Sequence, residues 1–242
     1  MRVPDMTQRF VCRNCQRETS QSCISNGQLE TTECRTNERE ASLRTFQVFQ
    51  CRECRIATLC IARRVHPGPM MGDSYIEEFH YYPPLPFRIR PEWYKKLARN
   101  YKVVLNEIYK ALDESLFILA SIGARTAIDK LMVDRIGDAG SFENKLKQLV
   151  ERGVIDKTDK EILSSVINTG SASAHRSFCP NQRHLRHIMD ILETIFFKLI
   201  IEPGEKQKLA KKAKSLLAAT PNRTKPMSLR VPVTQYSTDG DK

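Results

Sequence analysis

The chain has 242 residues, 40% of them apolar, and a formal net charge of +11. That is long enough for one medium domain and a small one. No apolar run approaches the roughly 18 residues that a membrane span needs. The opening MRVPDMTQRF lacks the apolar core of a signal peptide, so a cytoplasmic protein with reduced thiols is expected, and no membrane partner.

The charge is uneven. Residues 1–64 hold eleven arginines, no lysine and seven acids, and residues 203–242 hold nine basic and three acidic residues. A basic balance favours polyanions such as RNA or DNA, or serves solubility alone. Guanidinium forks suit phosphate.

In chain order, residues 1–64 read as a small β-rich module. RFVC and TFQVFQC are strand-like runs that each lead into a cysteine pair. The polar stretch 18–44 between them reads as a loop or loose hairpin. Residues 65–91 read as a connector, with the breaker cluster HPGPMMGDS and the extended, proline-rich YYPPLPFRIRP. From Pro91 the pattern turns helical, and Trp93, Leu97, Tyr101, Val104, Ile108 and Leu112 recur at helical spacing. A second helix over about 114–136 is apolar almost all round and is expected to be the buried central one. SFENKLKQLVERG predicts a short helix capped by Ser141. TDKEILSSVINTG predicts a helix with a Thr158–Glu161 capping box that stops at Gly170. Residues 182–201 carry a clean stripe from Leu185 to Ile200. A basic helix over 204–218 follows, and 219–242 reads as disordered.

Seven of the eight cysteines lie between Cys12 and Cys60. CRNC (Cys12, Cys15) and CREC (Cys51, Cys54) are two Cys-x-x-Cys pairs at strand ends. A two-residue gap lets both thiolates point at one ion, and two such knuckles close a tetrahedral shell. The expectation is one structural Zn2+ per chain, with redox and disulfide roles as competitors. Neither knuckle carries the glycine that often follows the second cysteine of a zinc ribbon. Cys23, Cys34, Cys60 and His66 form a second metal set or are small buried residues.

Within the helical part, Arg125 and Asp129 share a helix face, as a structural ion pair or as the lining of a site. His184 and His187, three apart, suit a metal or a solvated face. Tyr81, Tyr82, Phe87, Arg88 and Arg90 either bind a single strand or pin the connector to the helices. KQKLAKKAK (206–214) is a phosphate-binding helix or a soluble tail.

The order of a two-knuckle ribbon, YYPPLP (81–86), ARTAID (124–129) and GSASAH (170–175) resembles a bacterial helical family of unknown function placed among the HEPN domains. The resemblance covers about residues 1–200. It implies a mainly α fold: a helical bundle of about five helices (92–202) after the zinc ribbon (1–64) and connector (65–91). It also implies a homodimer and a link to phage defence. Many HEPN proteins are metal-independent ribonucleases marked by an arginine, four to six intervening residues and then a histidine. Here His175 stands in the histidine's place, while Asn168, Thr169 and Gly170 occupy the arginine's places and Ser171 a place more often held by asparagine. Metal-independent RNA cleavage needs a base near neutral pKa and a cation at the phosphate. His175 is the candidate base, and Arg125 or Arg176 the candidate cation. His175 is otherwise a structural residue or, with Asp129, Ser171 and Arg176, part of a non-catalytic binding site. The leading expectation is a non-catalytic protein that binds nucleic acid or a protein partner. An endoribonuclease and a protein-interaction adaptor are the alternatives.

Overall fold

The computed structural model describes residues 7–35, 38–65 and 76–220; the side chains of residues 30–43, 65 and 76 lie outside the description. His66, the HPGPMMGDS cluster and the expected disorder of the tail beyond Thr220 therefore fall outside the described residues.

Five strands form one antiparallel meander, each bonded to the next: β1 (Thr7–Cys12), β2 (Arg17–Arg35), β3 (Glu38–Cys51), β4 (Ala57–Val65) and β5 (Ile76–Tyr82). The sheet is larger than the expected ribbon, so the chain is not simply mainly α. Of the loop and the hairpin expected for residues 18–44, the hairpin forms, and the connector is corrected. The polar stretch 18–44 is most of β2 and β3, paired from Gln21↔Cys51 to Arg35↔Glu38 with a bulge at Cys23/Ser25. Its inward positions Thr19, Gln21 and Cys23 alternate at strand period, but two of the three are polar, so a hydrophobic pattern misses them. IEEFHYY, inside the expected connector, is β5, and it pairs with β4 from Leu59↔Tyr82 to Val65↔Ile76.

The sheet has its own small core. Phe49 is fully buried with Cys23 and Cys60, and Phe10 and Tyr81 pack on it. The Phe10 ring lies 5.7 Å from Phe49 and 5.4 Å from Tyr81. Burial raises the Cys60 thiol above its ordinary pKa. Cys23 and Cys60 thus pack as small apolar residues.

The helix expected from Pro91 is divided. A 3-10 turn (Glu92–Lys96) is followed by extended backbone at Leu97 and Ala98, then by α1 (Arg99–Asp113). The break turns Leu97 into the core. α2 (Phe117–Ile136) is central and meets α1, α3 (Phe142–Glu151), α4 (Lys157–His175) and α5 (Gln182–Phe196). Its buried face is built on Ala120, Ala124, Ala127, Ile128 and Leu131, while Leu116 and Leu119 near its start are exposed. Ser141 caps α3 as expected, accepting from the Asn144 N–H. α4 begins earlier than expected. Its capping box is Asp156 with Asp159, because the Asp156 carboxylate accepts from the Asp159 N–H at 2.7 Å and Asp159 accepts from the Asp156 N–H at 3.2 Å. Lys198, in the π-helical turn after α5 (Phe197–Ile201), reaches Asp159 at 2.5 Å.

Phe87, Arg88 and Arg90 pin the segment after β5 to the bundle. Arg88 donates to both carboxylate oxygens of Glu193 at 2.8 Å and pairs with Asp190 at 2.7 Å. The Tyr109 hydroxyl donates to the same Glu193 at 2.6 Å. Phe87 packs on Phe117, and the Arg90 guanidinium lies over the rings of Tyr94 and Tyr109, at 5.3 and 5.2 Å. Of the two roles open to this aromatic and basic segment, these three side chains serve the pinning one.

The chain divides into two units at Ile201 and Glu202. In the second, α6 (Glu202–Ala219) buries none of its residues, and the pairs Lys206–Glu202 and Lys208–Glu205 brace its first turns. No described helix is long and apolar enough to cross a membrane.

Candidate metal centre and the His175 region

The β1–β2 and β3–β4 turns are the two Cys-x-x-Cys segments, and the pairing of β2 with β3 sets them side by side. Arg52 N–H donates across to the Ser20 carbonyl at 3.0 Å. The four sulfurs of Cys12, Cys15, Cys51 and Cys54 all lie within 4.8 Å of one another. Among the described residues, no other group of three or more Cys, His, Asp or Glu side chains is close enough to hold a metal ion. Cys12 to Cys54 measures 3.5 Å and Cys15 to Cys51 3.9 Å. A zinc tetrahedron with Zn–S near 2.3 Å requires sulfur–sulfur separations of about 3.8 Å. The set is compatible with zinc, and four thiolates would leave no position for water.

Both turns have the same local geometry despite lacking glycine. Gln16 and Arg55, each directly after a second cysteine, adopt left-handed backbone with φ of 54° and 63°. Their N–H groups donate to the carbonyls of Cys12 and Cys51 at 2.8 and 3.0 Å. Non-glycine residues in this region cost about 1 kcal/mol, so the turns hold the form that sulfur convergence needs against a local preference.

The first cysteine of each pair accepts backbone N–H groups from inside its own turn: Cys12 from Cys15 and Asn14, Cys51 from Cys54 and Glu53. Burial pushes Cys51 up, but these donors and the Thr19 hydroxyl, 3.4 Å from its sulfur, outweigh it and bring the thiol down to about 6. Burial, then the neighbouring thiols, hold Cys15 well above its ordinary value. Burial also raises Cys12. Four such thiols ionise together only around a cation. Thr19 in turn accepts from the buried Gln21 side chain at 2.7 Å. Sequence reasoning missed this Gln21–Thr19–Cys51 chain; its signal is the period-two alternation of Thr19, Gln21 and Cys23 beyond the knuckle.

The first knuckle also fastens the sheet to the helices. Arg13 pairs with Asp113 and Glu114 at the end of α1 at 3.7 and 3.9 Å, and the Gln16 side chain accepts from the Arg90 N–H at 3.2 Å.

The expected helix stop at Gly170 does not occur, since α4 continues through His175. Gly170 is a crossing point. A Cβ placed there would lie 2.6 Å from Arg125 Cβ and 2.7 Å from the Ser121 carbonyl. Only glycine allows α2 and α4 to approach this closely. Arg125 therefore meets α4 at Gly170. At about 100° per residue, His175 lies about 140° farther round the helix, and it is exposed. The expected Arg125–Asp129 pair does not form. Asp129 accepts from the buried Lys145 at 2.8 Å, and Lys145 also holds Asp138 at 3.0 Å. Arg125 stacks over the Phe142 ring at 4.6 Å. Arg125 Nε and the Ser173 hydroxyl are buried there without hydrogen-bond partners. Ser171 is half-buried on α4, and Arg176 is exposed as its C-cap.

His175 and Arg176 belong to a basic corner between α4 and α5. Residues 172–189 hold Arg176, Arg183, Arg186, His175, His184 and His187, and no acid. Ser177 takes φ of 51°, and the Phe178 N–H donates to the Ala172 carbonyl at 3.3 Å, which folds the chain back at the end of α4. Phe178 is 39% exposed, with its ring 6.0 Å from that of His184. Asn181 caps α5 in a reciprocal bond with His184.

A family model described as a domain of unknown function (DUF4145) matches residues 106–218. That span runs from within α1 to near the end of α6, so the matched DUF4145 domain covers most of the helical part, and the four-cysteine sheet lies outside it. No curated protein and no solved structure matches the chain.

Proposed function

We propose that this is a non-catalytic nucleic-acid-binding protein. One structural zinc ion, held by Cys12, Cys15, Cys51 and Cys54, fixes its sheet, and the α4–α5 corner contacts the strand. A closed four-thiolate shell has no site for a reacting water, so the ion's contribution is to folding. The observation that carries the reading is the acid-free corner with an exposed aromatic ring. Arg176 and Arg183 have no carboxylate partner there among the described residues, and they lie close to Phe178 and His184 in the chain. Cations beside stacking rings are the pattern of single-strand binders. The ribbon arginines support the reading less, because Arg9, Arg17 and Arg64 are engaged with Glu18, Glu53 and Glu77. The HEPN-like ribonuclease reading needs a cation beside His175; Arg125 meets α4 on another face, which leaves Arg176 as the candidate for that role.

The test is binding of single-stranded oligonucleotides followed by fluorescence anisotropy against salt. Two to three phosphate contacts give a slope of about −1.4 to −2.1, a seven- to twentyfold loss between about 50 and 200 mM salt. Arg176→Gln with Arg183→Gln should weaken binding for all sequences and flatten the slope by about 1.4. Absence of binding at low salt refutes the reading and leaves the adaptor. Cleavage of RNA in EDTA that His175→Ala abolishes would replace it with the ribonuclease.

A further inference from the structure

A pocket of about 220 Å³ opens at the same corner, lined by Ser165, Val166 and Thr169 of α4, by Phe178, and by His184, His187, Ile188 and Ile191 of α5. Its lining has three chemical parts. Val166 and Ile188 are buried and make an apolar floor. Phe178 and His184 are two ring systems inclined at 36°. Ser165 and Thr169 supply hydroxyls whose protons are already committed: Ser165 donates to the Ile162 carbonyl at 2.7 Å and Thr169 to the Ser165 carbonyl at 2.8 Å. A hydroxyl that donates to its own helix has only lone pairs left to offer. The wall of α4 therefore presents two acceptor oxygens and no side-chain donor.

We propose that this pocket takes one unstacked nucleobase of a single strand, and that it favours bases bearing an exocyclic amino group, adenine and cytosine among them, over uracil. This rests on the nucleic-acid reading above and adds to it the recognised group. The space is too small for a nucleotide with its sugar and phosphate buried as well, and it suits a single flat ring system. The ring stacks against Phe178 and His184, as bases do on aromatic platforms. An exocyclic amine donates to the Thr169 or Ser165 oxygen. The one comparable donor of uracil, N3–H, is flanked by two carbonyl oxygens that would face those acceptors, so it fits less well than an amine at a site built to receive a donor. Arg176 and Arg183, on either side of Phe178 in the chain, meet the flanking phosphates. The chemistry recognised is the base, so RNA and DNA strands are both sources of it.

The experiment measures anisotropy of the full chain with labelled oligo(A), oligo(C), oligo(U), oligo(dA) and an abasic strand of equal length, at one salt concentration. The expected order is A and C above U, with U above the abasic strand. Phe178→Ala removes a ring that is partly exposed in the fold, and should weaken oligo(A) roughly ten- to a hundredfold while leaving the abasic strand unchanged. Thr169→Val keeps the shape without the oxygen and should narrow the A-over-U ratio while stacking persists. Equal oligo(A) and oligo(dA) affinity means that the base alone is read, and a gap between them adds a sugar contact outside the pocket; the pocket stands in both cases provided the base order holds. Strong, salt-dependent binding with no difference among A, C, U and the abasic strand overturns the pocket and leaves the corner. Unaltered binding by Phe178→Ala does the same. Absence of binding by every strand overturns both.

Discussion

Gly170→Ala separates two accounts of α4. If Gly170 were an interior helix position with open space around it, alanine should stabilise α4 by about 1 kcal/mol, the propensity difference in a helix interior. The structure gives the opposite sign. The new methyl would sit 2.6 Å from Arg125 Cβ and 2.7 Å from the Ser121 carbonyl, about 0.8 Å and 0.7 Å short of ordinary contact. Neither neighbour is the end of a flexible side chain, so the whole of α4 must move from α2. Overpacking of this kind costs about 1–3 kcal/mol and sometimes more. Two rigid clashes place it at the upper end, and the propensity gain offsets part of it. The net loss is about 1–3 kcal/mol, which in a unit of this size lowers the melting temperature by roughly 2–10 °C. Thermal melts by circular dichroism at 222 nm decide the matter. A Gly170→Ala protein as stable as the wild type, or more so, refutes the close crossing.

Native mass spectrometry should find one zinc ion per chain, and none after Cys12→Ser with Cys54→Ser; a zinc-free wild type would sink the metal centre. Arg55→Gly should raise the melting temperature, because it relieves a left-handed φ of 63° worth about 1 kcal/mol, whereas Arg55→Val should lower it. Arg88→Met should destabilise by about 2–4 kcal/mol in urea melts, since it leaves the half-buried Glu193 carboxylate with the Tyr109 hydroxyl alone. Burial, then Asp134, pushes Tyr101 up to about 12, and burial holds Tyr109 higher still. The unfolded chain releases these protons first, near the ordinary value of about 10. Stability from these two rings should therefore be present below pH 10 and fall as pH rises above it. Tyrosinate absorbance should then show two rings that ionise only as the chain unfolds.

Periodicity and spacing make much of this molecule legible. The cysteine pairs announce their convergence because a two-residue gap at a strand end has few geometric uses. The stripe of α5 is read correctly because Leu185, Ile188, Met189, Leu192, Ile195 and Phe196 are all buried. Misreadings arise where one residue type serves two purposes. Glycine ends helices and also lets them cross, and Gly170 does the second. Threonine and glutamine mark loops, yet Thr19 and Gln21 are buried to orient Cys51. Arg125 and Asp129 share a helix face, but a lysine from α3, distant in sequence, takes the carboxylate. Local spacing carries no signal for such a partner.

The first knuckle would give occupancy of the proposed zinc site a mechanical output. Arg13 and Gln16 belong to the short loop that the four sulfurs draw closed, and the same two residues grip Asp113, Glu114 and the chain at Arg90. A clasp and a hinge pin are here the same five residues. Whatever opens the clasp, whether a chelator, an oxidant or a competing soft metal, also slackens the joint through which the sheet is held to the end of α1.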